Sequence, residues 1–550
     1  MVETSRRSPD GPPVRRPVGL NFIGQPLSRH TLGDADPEVR ASSRVTQPSR
    51  RGSLASTTAL LAYLAVAGFI VHMLFAGNYG YFRDELYYIV SGTQHLSLGY
   101  VDFPPLIAYL AAILNAVSGD SLLSIHVLPA ASESILVIVA GMTARELGGG
   151  RRAQILAALS TLVTFAFLAF GSLFTPDAFD SLWWSLLAYL LVRMVRRGKP
   201  GLWVPVGIVI GVGLLTKLTI LFFVGALLIS FLAVPSARRH LRSGWIVPGA
   251  LISIAFVLPM IYWNSVNGWP MAHFYEEFRG DVSGGGPLSF FSTQLALVTY
   301  LNVPIVVMGL YFYLRSEAGS QLRILGLSYI VLYAFMTALD MKPYYLAPIY
   351  PMLYAGGAIM IERSSVSRKG MSRWFGSRPY LACLVAVAIL LAPIAMPILS
   401  PPALITSYGS GDYQISPLPD RYGWSGMVSN LSGAYDTLPG SLKSQACIFT
   451  SNYGEASAVN FLGKGLGLPQ AISGHNNYYV WGPGSCTGQV IITIGVSLST
   501  VQQAYRNVTI LTTLDCQYCI SYERVLPVYL CTDPSFTSLA SLWSGVRHYD

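Results

Sequence analysis

From residue 56 to residue 399 the chain repeats one pattern: an apolar run of helical length, then a short segment of glycine, proline, aromatic residues or clustered arginines. A helix needs about 20 consecutive apolar residues to cross a bilayer. Such runs lie at about 56–76, 122–145, 152–170, 178–196, 245–263, 290–313, 324–339, 344–361 and 380–399. A longer run, 202–235, is interrupted near Thr216 and Lys217 and counts as two. The pattern therefore predicts a polytopic α-helical membrane protein with about 11 transmembrane helices. One apolar stretch, 104–118, is short for a span.

The placement of positive charge tests that count. Lys and Arg accumulate on the cytoplasmic side of membrane proteins. With the N-terminus inside, the clusters Arg145/Arg151/Arg152, Arg193/Arg196/Arg197/Lys199, Arg238/Arg239/Arg242, Arg315/Arg323 and Arg363 to Arg378 all fall on that side. The opposite side receives only Arg83, Lys217, Arg279 and Lys342. If 104–118 spanned, every later cluster would be inverted. It is therefore read as an interfacial helix on the outer face.

Residues 1–53 are rich in Arg, Ser and Pro, lack an apolar run, and read as a disordered basic cytoplasmic tail. Residues 54–399 form the transmembrane domain, with 77–121 as its first external loop, and 400–550 change character. That last segment has Gly, Pro, Asn and Tyr clusters and β-rich runs at Gln489–Val496 and Val508–Thr513, so a C-terminal extracytoplasmic α/β domain is expected. It carries Cys447, Cys486, Cys516, Cys519 and Cys531, which an oxidising compartment would allow to form disulfides. Cys516-x-x-Cys519 is also half of a zinc pattern, but no second half accompanies it.

Composition agrees: 52% of the 550 residues are hydrophobic and 11% charged, and the mean hydropathy is +0.48. The net charge of +9 fits topology-setting loops, and no basic stripe interleaved with aromatics indicates a nucleic-acid partner.

Polar residues stand out where the apolar pattern breaks. Tyr79-Gly-Tyr-Phe-Arg-Asp-Glu-Leu-Tyr-Tyr88 places Arg83, Asp84 and Glu85 just after the first span. Charged groups at a membrane boundary are costly unless paired or in use. Asp84 and Glu85 suit a general base with an electrostatic or metal-binding neighbour; a local pair with Arg83 in a tyrosine belt is the plainer reading. Gly99-Tyr-Val-Asp-Phe-Pro-Pro105 adds Asp102. Thr175-Pro-Asp177 suits either a helix cap or a site carboxylate. Lys217 either snorkels or meets a phosphate. Lys342-Pro-Tyr-Tyr-Leu-Ala-Pro-Ile-Tyr-Pro351 opens a span at the same face. Carboxylates and cations gathered there suit acceptor activation and stabilisation of a departing phosphate. Ser473-Gly-His-Asn-Asn-Tyr-Tyr-Val-Trp-Gly-Pro483 offers His475 and Asn476 beside aromatic residues, for a sugar or for packing.

In this order, the Arg-Asp-Glu-Leu-Tyr-Tyr, Tyr-Val-Asp-Phe-Pro-Pro, Thr-Pro-Asp and Lys-x-Tyr-Tyr-Leu-x-Pro-x-Tyr-Pro motifs resemble the GT-C membrane glycosyltransferases. The nearest branch is that of protein O-mannosyltransferases and lipid A aminoarabinose transferases, and the likeness covers about residues 56–362. The resemblance implies a GT-C fold with juxtamembrane helices in the first external loop. It implies inverting transfer from a polyprenyl-phosphate-linked sugar in a bacterial cytoplasmic membrane. Its catalytic carboxylate falls on Asp84, with Glu85 beside it and Asp177 as a second acidic position. Lys217, Lys342 and Arg83 become donor-phosphate contacts. Tyr87, Tyr88, Asp102, Tyr344, Tyr345, His475 and Asn476 become substrate contacts. A divalent metal is compatible with the acidic pair, and no other cofactor is implied. The acceptor, whether protein, lipid or glycan, stays open. The rival class is a transporter or lipid flippase. It would place ionisable residues near the midplane and show a structural repeat, whereas the motifs here gather at one face.

Overall fold

The computed structural model describes residues 50–278, 285–366 and 371–549. The expected tail (apart from its last few residues), Arg279, and Arg368 with Lys369 lie outside them. Among the described residues six helices are long and apolar enough to cross a membrane: Ser56–Phe75, Leu122–Glu146, Pro176–Arg197, Ile246–Val266, Ser320–Ala338 and Arg378–Ala395. Gly286–Leu297 and Tyr300–Arg315 would make a seventh, bent by 92°.

The count of 11 is thus not reached by this measure, because helix breaks divide runs that are continuous in hydropathy. The run 202–235 does break at Lys217, as expected, but into helices of only 14 residues each, Trp203–Thr216 and Ile220–Ala233. A helix of that length spans about 21 Å, short of a hydrocarbon core. The run 152–170 divides at Val163 and Thr164 into Arg151–Leu162 and Phe165–Phe170. The proline-rich start of 344–361 is a 3₁₀ helix, Pro343–Ile349, before Tyr350–Val366 takes over. Leu106–Ser118 is a 13-residue helix, too short to span, as its apolar length implies.

The C-terminal segment holds a five-stranded mixed sheet. Its strands are β1 (Ala446–Thr450), β2 (Ala471–Ser473), β3 (Val490–Ile494), β4 (Tyr505–Asp515) and β5 (Val525–Pro534). Their order is β2-β1-β3-β5-β4, with β1 parallel to both neighbours and β5 antiparallel to β3 and β4. Two disulfides, Cys447–Cys486 and Cys516–Cys519, tie the segment, while Cys531 is a buried free thiol.

In open α/β sheets ligands sit beyond the carboxyl ends of parallel strands, where the strand order reverses. Here those ends are the turns after β1 and β2, carrying Asn452-Tyr453 and His475-Asn476-Asn477. Both turns face the first-loop helix Arg83–Gln94 and the Asp102 loop, to which they are hydrogen-bonded.

Candidate active site

Adjacent residues on a helix point about 100° apart. In Arg83–Gln94 that separation gives the two carboxylates different surroundings. Glu85 is fully buried. It accepts hydrogen bonds from the Phe82 amide (2.8 Å), the Phe174 amide (2.7 Å) and His126 Nε2 (2.9 Å). Burial alone would raise its pKa, but His126 and the donated hydrogen bonds outweigh it and hold the carboxyl below its ordinary value. Glu85 therefore ties the first loop to the spanning helix Leu122–Glu146 and to the turn that leads into Pro176–Arg197. Asp84 keeps about a quarter of its side chain exposed. It accepts from Tyr453 Oη at 2.7 Å and lies 3.8 Å from Arg83 Nε. The two carboxyls do not converge as a cradle for a metal ion, and among the described residues no three His, Cys, Asp or Glu side chains do so.

Arg83 is fixed from the C-terminal segment. Its guanidinium lies over the Tyr453 and Tyr522 rings, donates to Tyr522 Oη and stands 3.9 Å from Asp420. Arg421 next along is buried and donates to the carbonyls of Asn78, Gly80 and Ser172, tying the start of the first loop to the turn before Pro176–Arg197.

Asp177 lies in the first turn of Pro176–Arg197, where a carboxylate suits the helix dipole. It is not the cap residue: Thr175 occupies that position. Asp177 Oδ1 accepts from Lys217 Nζ at 2.5 Å. Lys217 stands in the break between two short helices, with Nζ 4.6 Å from the Tyr345 ring centre and 5.2 Å from that of Tyr344. Asp180, one turn on, is buried and accepts from Thr219 and Trp184.

Lys342 feels all of these charges. Burial, then repulsion from Lys217, lowers its pKa, while Asp84 and Asp177 act against that shift. Asp84, Asp177, Lys217, Lys342 and Arg83 therefore belong to one electrostatic neighbourhood, with Tyr88 and Tyr344 within it.

Asp102 forms a second node. Tyr87 Oη (3.1 Å) and Asn477 Nδ2 (2.9 Å) donate to its Oδ1, and Asn476 Nδ2 (3.2 Å) to its Oδ2. Asn477 Oδ1 accepts the Val101 amide at 2.8 Å. Asn476 takes a positive φ of 48°, a region Asn enters more readily than most residues. Burial pushes the Asp102 carboxyl up to about 7 despite these donors. His475 is buried, accepts the Tyr453 amide at 3.4 Å and packs on His548, so it supports Tyr453 from behind.

Of the sequence-predicted residues, the structure thus gathers Arg83, Asp84, Asp177, Lys217, Lys342, Tyr88, Tyr344 and Tyr345 at one end of the helices. Tyr87, Asp102 and Asn476 form the adjoining clamp, and Glu85 and His475 lie beneath. Sequence reasoning missed Tyr453, His126, Asp420, Arg421 and Tyr522. No local signal marks these, since each acts on a residue distant in the chain. It also missed His72 and Glu133, buried within spanning helices beside Gly171, so not every ionisable group is at one face.

Comparison with known proteins gives consistent likenesses. Residues 102–263 match the dolichyl-phosphate-mannose-protein mannosyltransferase family. The lipid A galacturonosyltransferase RgtD of Rhizobium johnstonii is 25% identical over 276 residues, 48% of this chain and 56% of that protein, so the match spans little more than half of that relative. ArnT from Cupriavidus metallidurans in its apo state superposes with a TM-score of 0.56 at 15% identity, over 86% of this chain and 98% of that one. ArnT bound to undecaprenyl phosphate gives a TM-score of 0.55 at 15% identity, over 86% and 97%. At such identity the ArnT likeness speaks for fold alone; with the two sequence matches, it makes the chain similar to membrane glycosyltransferases in fold and, over residues 102–263, in sequence.

Proposed function

We propose that the chain transfers a sugar from a polyprenyl-phosphate donor to a hydroxyl or phosphate acceptor, with inversion, at the extracytoplasmic face of the membrane. The observation that carries this reading is the partly exposed Asp84, held by Tyr453 and sharing the electrostatic neighbourhood of Lys217 and Lys342. With a hydroxyl acceptor, Asp84 takes the proton as the oxygen attacks the anomeric carbon. The bond from that carbon to the phosphate oxygen breaks, and its electron pair leaves with the polyprenyl phosphate. Lys217, Lys342 and Arg83 stabilise the charge that develops there, so no acid is required. Tyr344 and Tyr345, whose ring centres lie 5.2 and 4.6 Å from Lys217 Nζ, are the side chains that would flank that phosphate.

A groove of about 310 Å³ supports a lipid donor. It lies against the bent helix pair, lined by Phe291, Leu295, Val298, Tyr333 and Tyr350. Gln294 in its wall donates to the Pro343 carbonyl, next to Lys342. ArnT has been seen with undecaprenyl phosphate, and RgtD is named for action on lipid A; a polyprenyl donor and a lipid or glycan acceptor are the corresponding choices here. Orientation follows from the arginine clusters, with the N-terminus cytoplasmic and residues 400–550 outside.

The test is sugar transfer by Asp84→Asn in membranes at matched expression. Loss of about 10²–10⁴-fold is expected for removal of a general base. Wild-type turnover would reject the assignment.

A further inference from the structure

The C-terminal segment also offers space away from Asp84. It is a cavity of about 270 Å³ between the helix Trp424–Asp436 and the turn that follows β4. Its apolar wall is built by Tyr422, Trp424, Met427, Leu514 and Leu526. Its polar groups are the carboxylates of Asp515 and Glu523 and the amides of Asn430 and Gln517, and no Lys or Arg lines it. Asp515, Asn430 and Gln517 are solvent-exposed at the rim. Glu523 is 6% exposed; its Oε1 accepts from Asn452 Nδ2 at 2.9 Å, while Oε2 has no hydrogen-bond partner among the described residues.

Aromatic and aliphatic surface with a few converging carboxylate and amide groups is the chemistry that holds a sugar ring. The ring's C–H faces pack on the apolar wall and its hydroxyls find the polar atoms. The Asp515 carboxylate and the absence of Lys or Arg from the lining disfavour phosphate and other anions, unlike the cationic neighbourhood of Lys217 and Lys342. We propose that this cavity is a second carbohydrate-binding subsite, for a saccharide ring that carries hydroxyl or ammonium groups and no anionic substituent.

The subsite is joined to the transfer site by a short bonded path. Glu523 holds Asn452, whose Oδ1 accepts the Gly454 and Glu455 amides, and Tyr453 between them donates to Asp84. A glycan portion of the acceptor placed here would lie one hydrogen-bonded relay from the proposed base. That link to an acceptor rests on the transfer reading; the binding does not.

The experiment uses the full chain in lipid nanodiscs and saturation-transfer NMR with glucose, glucosamine and glucuronate as probes. Glucose and glucosamine are expected to bind with a Kd of about 1 mM, and glucuronate at least about tenfold more weakly. Gly426 lies on the exposed side of its helix, and a Cβ there meets nothing within 4 Å, so Gly426→Leu fills the cavity without displacing backbone. It is expected to abolish the signal, and Asp515→Asn to weaken glucosamine more than glucose. Asp84→Asn is expected to bind like wild type, which separates this subsite from the transfer chemistry. Absence of binding by both neutral and amino sugar, equal binding of glucuronate, or undiminished binding to Gly426→Leu would each overturn the proposal.

Discussion

The Asp177–Lys217 pair allows a structural role to be separated from a functional one. Lys217 Nζ lies 2.5 Å from Asp177 Oδ1, and the two side chains are only 16% and 20% exposed. Lys217→Met leaves the Asp177 carboxylate without its partner. Truncating one member of a buried pair costs about 3–5 kcal/mol; residual solvent contact screens the loss, so about 3 kcal/mol of stability is expected here. Asp177→Asn in the same chain removes the stranded charge, and the double variant should regain most of that stability. Turnover should behave differently. If Lys217 meets the donor phosphate, its loss removes about 3–4 kcal/mol of transition-state stabilisation, or about 10²–10³-fold in kcat/KM. Neutralising Asp177 cannot restore a cation. The assay is transfer from a polyprenyl-phosphate sugar in nanodiscs, with thermal unfolding measured on the same samples for wild type, both single variants and the double variant. Should the double variant match Asp177→Asn in turnover, Lys217 serves only to pair with Asp177, and its phosphate role is refuted.

Other perturbations probe the supports of the site. The Asp102 carboxyl titrates near 7 in the folded chain because burial disfavours its charge. Its folded form holds the proton more tightly than the unfolded one, so stability falls as pH rises from about 4 to about 7. Unfolding midpoints across that range should lose part of their slope in Asp102→Asn, and an unchanged slope would contradict the shift. His126→Phe removes one of the three donors to the buried Glu85 and should cost about 3 kcal/mol, read as a lowered unfolding midpoint with Asp84-dependent turnover surviving below it. Cys447–Cys486 closes a separation of 39 residues and Cys516–Cys519 one of 3. Chain entropy gives about 4 and about 2 kcal/mol, so paired Ser substitutions should destabilise the first more, and the reverse order would count against loop entropy as the cause.

The apolar pattern, the arginine asymmetry and the motif residues are properties of neighbouring positions, and the sequence by itself determined them. Length and hydropathy mark Leu106–Ser118 as too short to span, and β-rich composition places β3 and β4. Helix breaks were legible in part: the interruption of 202–235 near Thr216 and Lys217 is marked by its one charge, whereas the division of 152–170 at Val163 and Thr164 carries no such mark. Nor does the sequence tell Asp84 from Glu85. The two differ because helix rotation sends one toward Tyr453 and the other toward His126 and Phe174, partners 369, 41 and 89 residues away. The choice is made by burial and by hydrogen bonds between distant segments, and those interactions exist only once the C-terminal sheet has met the first loop.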